Sequence, residues 1–86
     1  MLESREIEFI ENCIAQDDNP DNRIKDLIPG LSITKCSASD IMDEPYKTFN
    51  MYNLYLVDRS DHCWKFTDSP EKASGIVLAR RKNGKS

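Results

Sequence analysis

Apolar residues recur at helical spacing through the first third of the chain and then switch to alternation, so the pattern divides into two kinds of element. Ile7, Ile10 and Ile14 fall on one helical face, with Cys13 beside them and Phe9 widening it. This spacing predicts a helix over residues 4–16 with Ser4 as its N-cap. Glu3, Glu6, Glu8 and Glu11 lie toward its start, where the helix dipole favours negative charge. The polar run Gln16-Asp17-Asp18-Asn19 ends it. Asn19-Pro20 then supplies a cap and a first-turn proline for a second helix, whose stripe is Ile24, Leu27 and Ile28. Pro29-Gly30 stops that helix.

From Leu31 the period becomes two, and Leu31 to Cys36 reads as a strand with β-branched Ile33 and Thr34. Ser37 to Thr48 is polar and irregular. Its length makes it the natural place for a binding loop, and Asp40, Asp43, Glu44 and Tyr46 are the candidate partner-binding residues. Asn50 to Val57 and His62 to Thr67 read as two further strands. A three-residue turn over Arg59-Ser60-Asp61 would pair Leu56 with Trp64 and Leu54 with Phe66, collecting the large apolar side chains on one face. The last element opens with Ser69-Pro70, a helix start. Ala73, Ile76, Val77 and Arg80 would then share a helical face, although Gly75 costs a helix about 1 kcal/mol and a fourth strand is the alternative. The expected class is α+β: N-terminal helices, a three-stranded antiparallel sheet and a C-terminal helix.

A chain of 86 residues supports one core, so residues 1–86 are expected to form a single domain, with 80–86 as a flexible basic tail. Charge is uneven. Residues 1–30 hold eight acids against three bases, and residues 61–86 hold six bases against three acids. A net charge of −3 does not provide the broad positive field of a phosphate-backbone binder, and the acids around the second helix argue against a helix-turn-helix reader. No apolar run reaches the ~18 residues that would cross a bilayer, and the N-terminus has no unbroken apolar segment, so a cytoplasmic location is expected. Three widely spaced cysteines without a Cys-x-x-Cys suggest reduced thiols rather than a disulfide framework.

His62 is the single histidine and stands between Asp61 and Cys63. A metal or redox site would draw on Cys36, Asp61, His62 and Cys63. Neighbours on a strand point to opposite faces, however, which leaves such a site short of convergent ligands; no cofactor is expected. Asp40, Asp43 and Glu44 match no calcium-loop spacing. No nucleophile elbow and no phosphate-binding glycine loop occurs, so no catalytic residue is assigned. Tyr46, Phe49, Tyr52, Tyr55, Trp64 and Phe66 could stack bases on an open sheet, but interleaved lysine and arginine are scarce, and a core role fits them better.

Pro29-Gly30, Cys36, the string Tyr52-Asn53-Leu54-Tyr55-Leu56-Val57-Asp58, then Asp61-His62-Cys63, Phe66-Thr67 and Ala73 to Ala79 together resemble a family of short bacterial proteins. It is a domain-of-unknown-function family associated with nitrogen-fixation gene neighbourhoods. The resemblance spans residues 29–79 and implies no activity, but it draws attention to Cys36, His62 and Cys63. Arg59 replaces a usual turn glycine, and Arg80-Arg81 stands where the family runs acidic, so the basic tail inherits no role.

The function expected on these grounds is that of a small cytoplasmic accessory domain that binds another protein without catalysis. A metal or thiol site around His62 and Cys63 is the alternative, and weak nucleic-acid binding a third. The strand at 31–36, with Lys35 as its one charge, is the expected edge for a weak homodimer.

Overall fold

Both stretches of helical period fold as helices in the computed structural model, which describes residues 2–17, 19–49, 51–59 and 65–81. Helix α1 spans Ser4–Gln16 and buries Ile7, Ile10, Cys13 and Ile14. Its N-cap is Glu3 rather than Ser4, and the Glu3 backbone N–H donates to Glu6 Oε1 at 2.9 Å, which satisfies a group the helix start would leave open. Helix α2 spans Pro20–Leu27 with Asn19 as N-cap and Ile24 fully buried. Burial of side chains such as Ile10 and Ile24 contributes roughly 1.5–3 kcal/mol each and holds both helices to the sheet.

That sheet corrects the expected architecture. It is five-stranded and mixed: β1 Ser32–Ser37, β2 Lys47–Thr48, β3 Tyr52–Asp58, β4 Lys65–Thr67 and β5 Gly75–Arg80. The overall class is α+β, but the three-stranded antiparallel sheet and the C-terminal helix are both overturned. From Ser69 the chain makes only a 3₁₀ turn, Pro70–Lys72, before entering β5. Ile76, Val77 and Leu78 are consecutive apolar residues, and a strand buried on both faces covers all three where a helix stripe would expose one. Gly75, awkward in a helix, is needed in the strand: a Cβ there would lie 2.9 Å from the Ser32 carbonyl oxygen.

β5 enters between β1 and β3, parallel to β1 and antiparallel to β3, so the expected all-antiparallel pairing is also replaced. β2 and β4 share the far side of β3, opposite its first and second halves respectively. The β3–β4 register pairs Leu56 with Thr67, Val57 with Phe66 and Asp58 with Lys65, three residues away from the expected register. An odd slip inverts the faces. Phe66 therefore lies against Tyr55 at 4.8 Å between ring centroids rather than beside Leu54. Trp64 and the expected turn Arg59-Ser60-Asp61 beyond Arg59 fall outside the described residues.

The sheet has a core on each side. Facing the helices, Tyr52, Leu54, Leu56, Ile76 and Leu78 pack with the buried stripes of α1 and α2. On the opposite side Tyr55, Val57, Val77 and Ala79 are covered by Ala38, Ile41 and Phe66. Of the basic run, Arg80 ends β5, while the Arg81 backbone N–H donates to the Met51 carbonyl at 2.8 Å and its Nη1 to the Phe49 carbonyl at 2.7 Å. Residues 82–86 lie outside the described residues. No helix among the described residues is long and apolar enough to cross a membrane.

Candidate functional site

The segment between β1 and β2 has little regular structure, yet it is fastened at three points. Ser37 Oγ accepts the Ser39 backbone N–H at 3.4 Å and starts a 3₁₀ turn over Ala38–Asp40. Ala38 and Ile41 then pack onto the second core beside Tyr55 and Val77. The Tyr55 hydroxyl donates to the Asp43 carbonyl at 2.8 Å, and the Tyr46 N–H donates to the Leu54 carbonyl at 2.8 Å. An interior tyrosine usually needs a partner for its hydroxyl, and here that partner is loop backbone.

Fastening the backbone inward turns the intervening side chains outward. Asp40, Asp43 and Glu44 are exposed, and Tyr46 is half-buried against the helix-side core. Met42, which the sequence reading passed over, is 96% exposed among these carboxylates. The signal that could have found it was an Ile41-Met42 pair in an otherwise polar stretch: one of the two anchors the loop and the other is left for the surface.

Beside this loop, Glu44, Tyr46, Phe66 and Asp68 line an open cleft of about 450 Å³, with Tyr55 at its base. A second open groove of about 800 Å³ runs past Leu2, Ile7 and Tyr46 with Glu3, Glu8 and Glu71 around it. By contrast, a more enclosed pocket under Arg59 and between Ser32 and Val57 holds only about 40 Å³. Such a volume admits a water or two and not a substrate, for which pockets of roughly 300–1,000 Å³ are usual. Among the described residues, the two larger clefts are thus open and acid-rimmed.

The proposed metal or redox residues do not come together in what is described. Cys36 is half-buried on β1, and burial pushes its thiol up, with the Asp40 carboxylate adding to the effect. The reactive form of a thiol is the thiolate, so this environment works against nucleophilic or metal-binding chemistry. Burial likewise raises the Cys13 thiol, partly offset by Arg23. Asp61, His62 and Cys63 lie outside the described residues. Among the described residues no group of three or more histidine, cysteine or acidic side chains is placed to hold a metal ion.

Two findings from comparison complete the picture. A family model described as Family of unknown function (DUF6129) matches residues 12–81, which includes α2, the whole sheet and the loop with Met42. No curated protein and no solved structure matches the chain.

Proposed function

We propose that this chain, which belongs to the Family of unknown function (DUF6129), is a small accessory domain that binds another protein and performs no catalysis of its own. The observation that carries the reading is Met42: a large apolar side chain held 96% exposed on a loop that Ile41, Tyr55 and Tyr46 tie down. A fastened loop loses little conformational freedom on binding, so contacts made at its tip count more fully toward affinity. Methionine adapts its shape to an apolar socket. Asp40, Asp43 and Glu44 around it favour a socket rimmed by lysine or arginine.

The bacterial setting and the association with nitrogen-fixation genes belong to the same proposal, supported by the string from Tyr52 to Asp58 and the flanking segments. So does a cytoplasmic location, to which the free thiols of Cys13 and Cys36 are suited.

The test is capture from the native host with wild-type protein and with two variants, Met42→Ser and Asp43→Lys/Glu44→Lys. Each variant should keep its melting temperature, because the replaced side chains are exposed, and each should lose the captured protein by tenfold or more. A partner retained equally by all three proteins would remove the loop from the binding surface.

A further inference from the structure

The two edges of the sheet are built differently. The edge beyond β3 is divided between β2 and β4, strands of two and three residues from separate parts of the chain, both antiparallel to β3, so that among the described residues no long row of free backbone groups is left there. Short edge strands are one of the ways proteins prevent further pairing. At the other edge β1 runs six residues without proline, glycine or interruption. Among the described residues no strand pairs with its outer side.

Its single charge is also accounted for. Lys35 would ordinarily discourage an approaching strand, but its Nζ is drawn 3.6 Å from Asp21 Oδ1 on α2. The rest of the row is neutral: Ser32, Thr34 and Cys36 point to one face, Ile33 and Ser37 to the other. Ile33 and Cys36 are half-buried, Ile33 against the helix-side core and Cys36 against the second core. Each core therefore reaches this edge and stops there with an incompletely covered side chain.

We propose that β1 pairs with β1 of a second copy, antiparallel and about a two-fold axis at Thr34, joining two five-stranded sheets into one. The row is self-complementary in that register. Thr34 meets its own copy, a pairing that cross-strand statistics favour for threonine, and Ser32 meets Cys36 of the second copy. Ile33 meets Lys35 of the second copy, whose aliphatic stem covers it while the ammonium keeps its contact with Asp21 of its own copy. An axis at Lys35 would instead set two ammonium groups opposite each other. The same-sequence partner is favoured over a foreign strand because one six-residue strand satisfies both sides and no like charges oppose. The contact is small, so the dimer is weak and concentration-dependent.

The position on the axis supplies the test. Thr34 is exposed, so it accepts substitution, and Thr34→Lys would place two like charges face to face across the axis. Sedimentation of the full chain over a concentration series should show a monomer–dimer equilibrium for the wild type. Thr34→Lys and Thr34→Glu should each weaken it by about tenfold or more, and an equimolar mixture of the two variants should restore association. Amide exchange at residues 32–37 of the wild type should slow as concentration rises, a measurement that needs no variant. Monomer at every concentration, a dimer indifferent to Thr34→Lys, a mixture that fails to re-associate, or exchange independent of concentration would each overturn the proposal.

Discussion

At Gly75 a single hydrogen in place of a side chain decides how closely two strands can lie. A Cβ built there sits 2.9 Å from the Ser32 carbonyl oxygen and 3.0 Å from Ser32 Cβ, and the carbonyl belongs to backbone that cannot swing aside. Gly75→Ala should therefore push β1 from β5 and destabilise the protein by about 1–3 kcal/mol, measured as a shifted urea midpoint. An unchanged midpoint would mean that β1 has room to move. Tyr55 makes the complementary case, where one polar atom is added rather than a side chain withheld. Its ring packs with Phe66, and its hydroxyl holds Asp43. Tyr55→Phe keeps the ring, so the expected cost is about 1 kcal/mol together with faster amide exchange over residues 41–46. Exchange confined to its wild-type rate would show that packing by Ala38 and Ile41 alone secures the loop.

Among the elements, legibility followed periodicity. Helices α1 and α2 are readable because each carries an apolar stripe against a polar side, although Leu27, expected in the α2 stripe, is 61% exposed and Ile24 alone of that stripe is fully buried, while Leu54 in β3 lies fully buried in the core as expected. The errors fall on strands buried on both faces. β3 from Leu54 to Asp58 is buried without interruption, so alternation gives no sign of which face is which. The second core under the 38–46 loop was not expected, and without it Phe66 was assigned to the helix side. The same blindness affected β5, where three consecutive apolar residues suited helix and strand alike. The candidate loop was legible from composition, through Asp40, Asp43 and Glu44, whereas Met42 needed the fold to show that Ile41 points inward. Val77 distinguishes the two-sided sheet directly, since it is 4% exposed on the side away from the helices. Val77→Asp should cost at least about 2 kcal/mol, because it puts a carboxylate among the buried apolar side chains Tyr55, Val57 and Ala79 while the neighbouring Arg59 guanidinium already donates to Ser32 Oγ, and Val77→Ile should be nearly neutral by comparison. Equal tolerance of both in thermal melts would show that this face is open to water.

For the whole molecule, titrating groups on both sides of the sheet share one direction of shift. Burial raises the thiol of Cys13 in the helix layer, and on the far side it raises both the Cys36 thiol and the Tyr55 phenol. For Tyr55 the Asn53 side-chain hydrogen bond opposes the shift, while Asp43 and Cys36 reinforce it. A group that holds its proton more tightly when folded stabilises the fold fully below its unfolded pKa and loses that contribution as pH rises through the higher folded value. Unperturbed thiols titrate near about 8.5 and tyrosines near about 10, so stability should be level near neutrality and decline from roughly pH 8.5 upward. The thiols act first, before the phenol. Chemical denaturation at intervals from pH 7 to 10 under reducing conditions should show this fall. Replacing Cys13 and Cys36 together by alanine lowers overall stability but should flatten the curve between pH 8 and 9.5, because neither core then has to expel a thiolate. A wild-type curve that stays level to pH 10, or a double variant with the same slope, would mean that water reaches these groups and that the two cores are less closed than their buried side chains require.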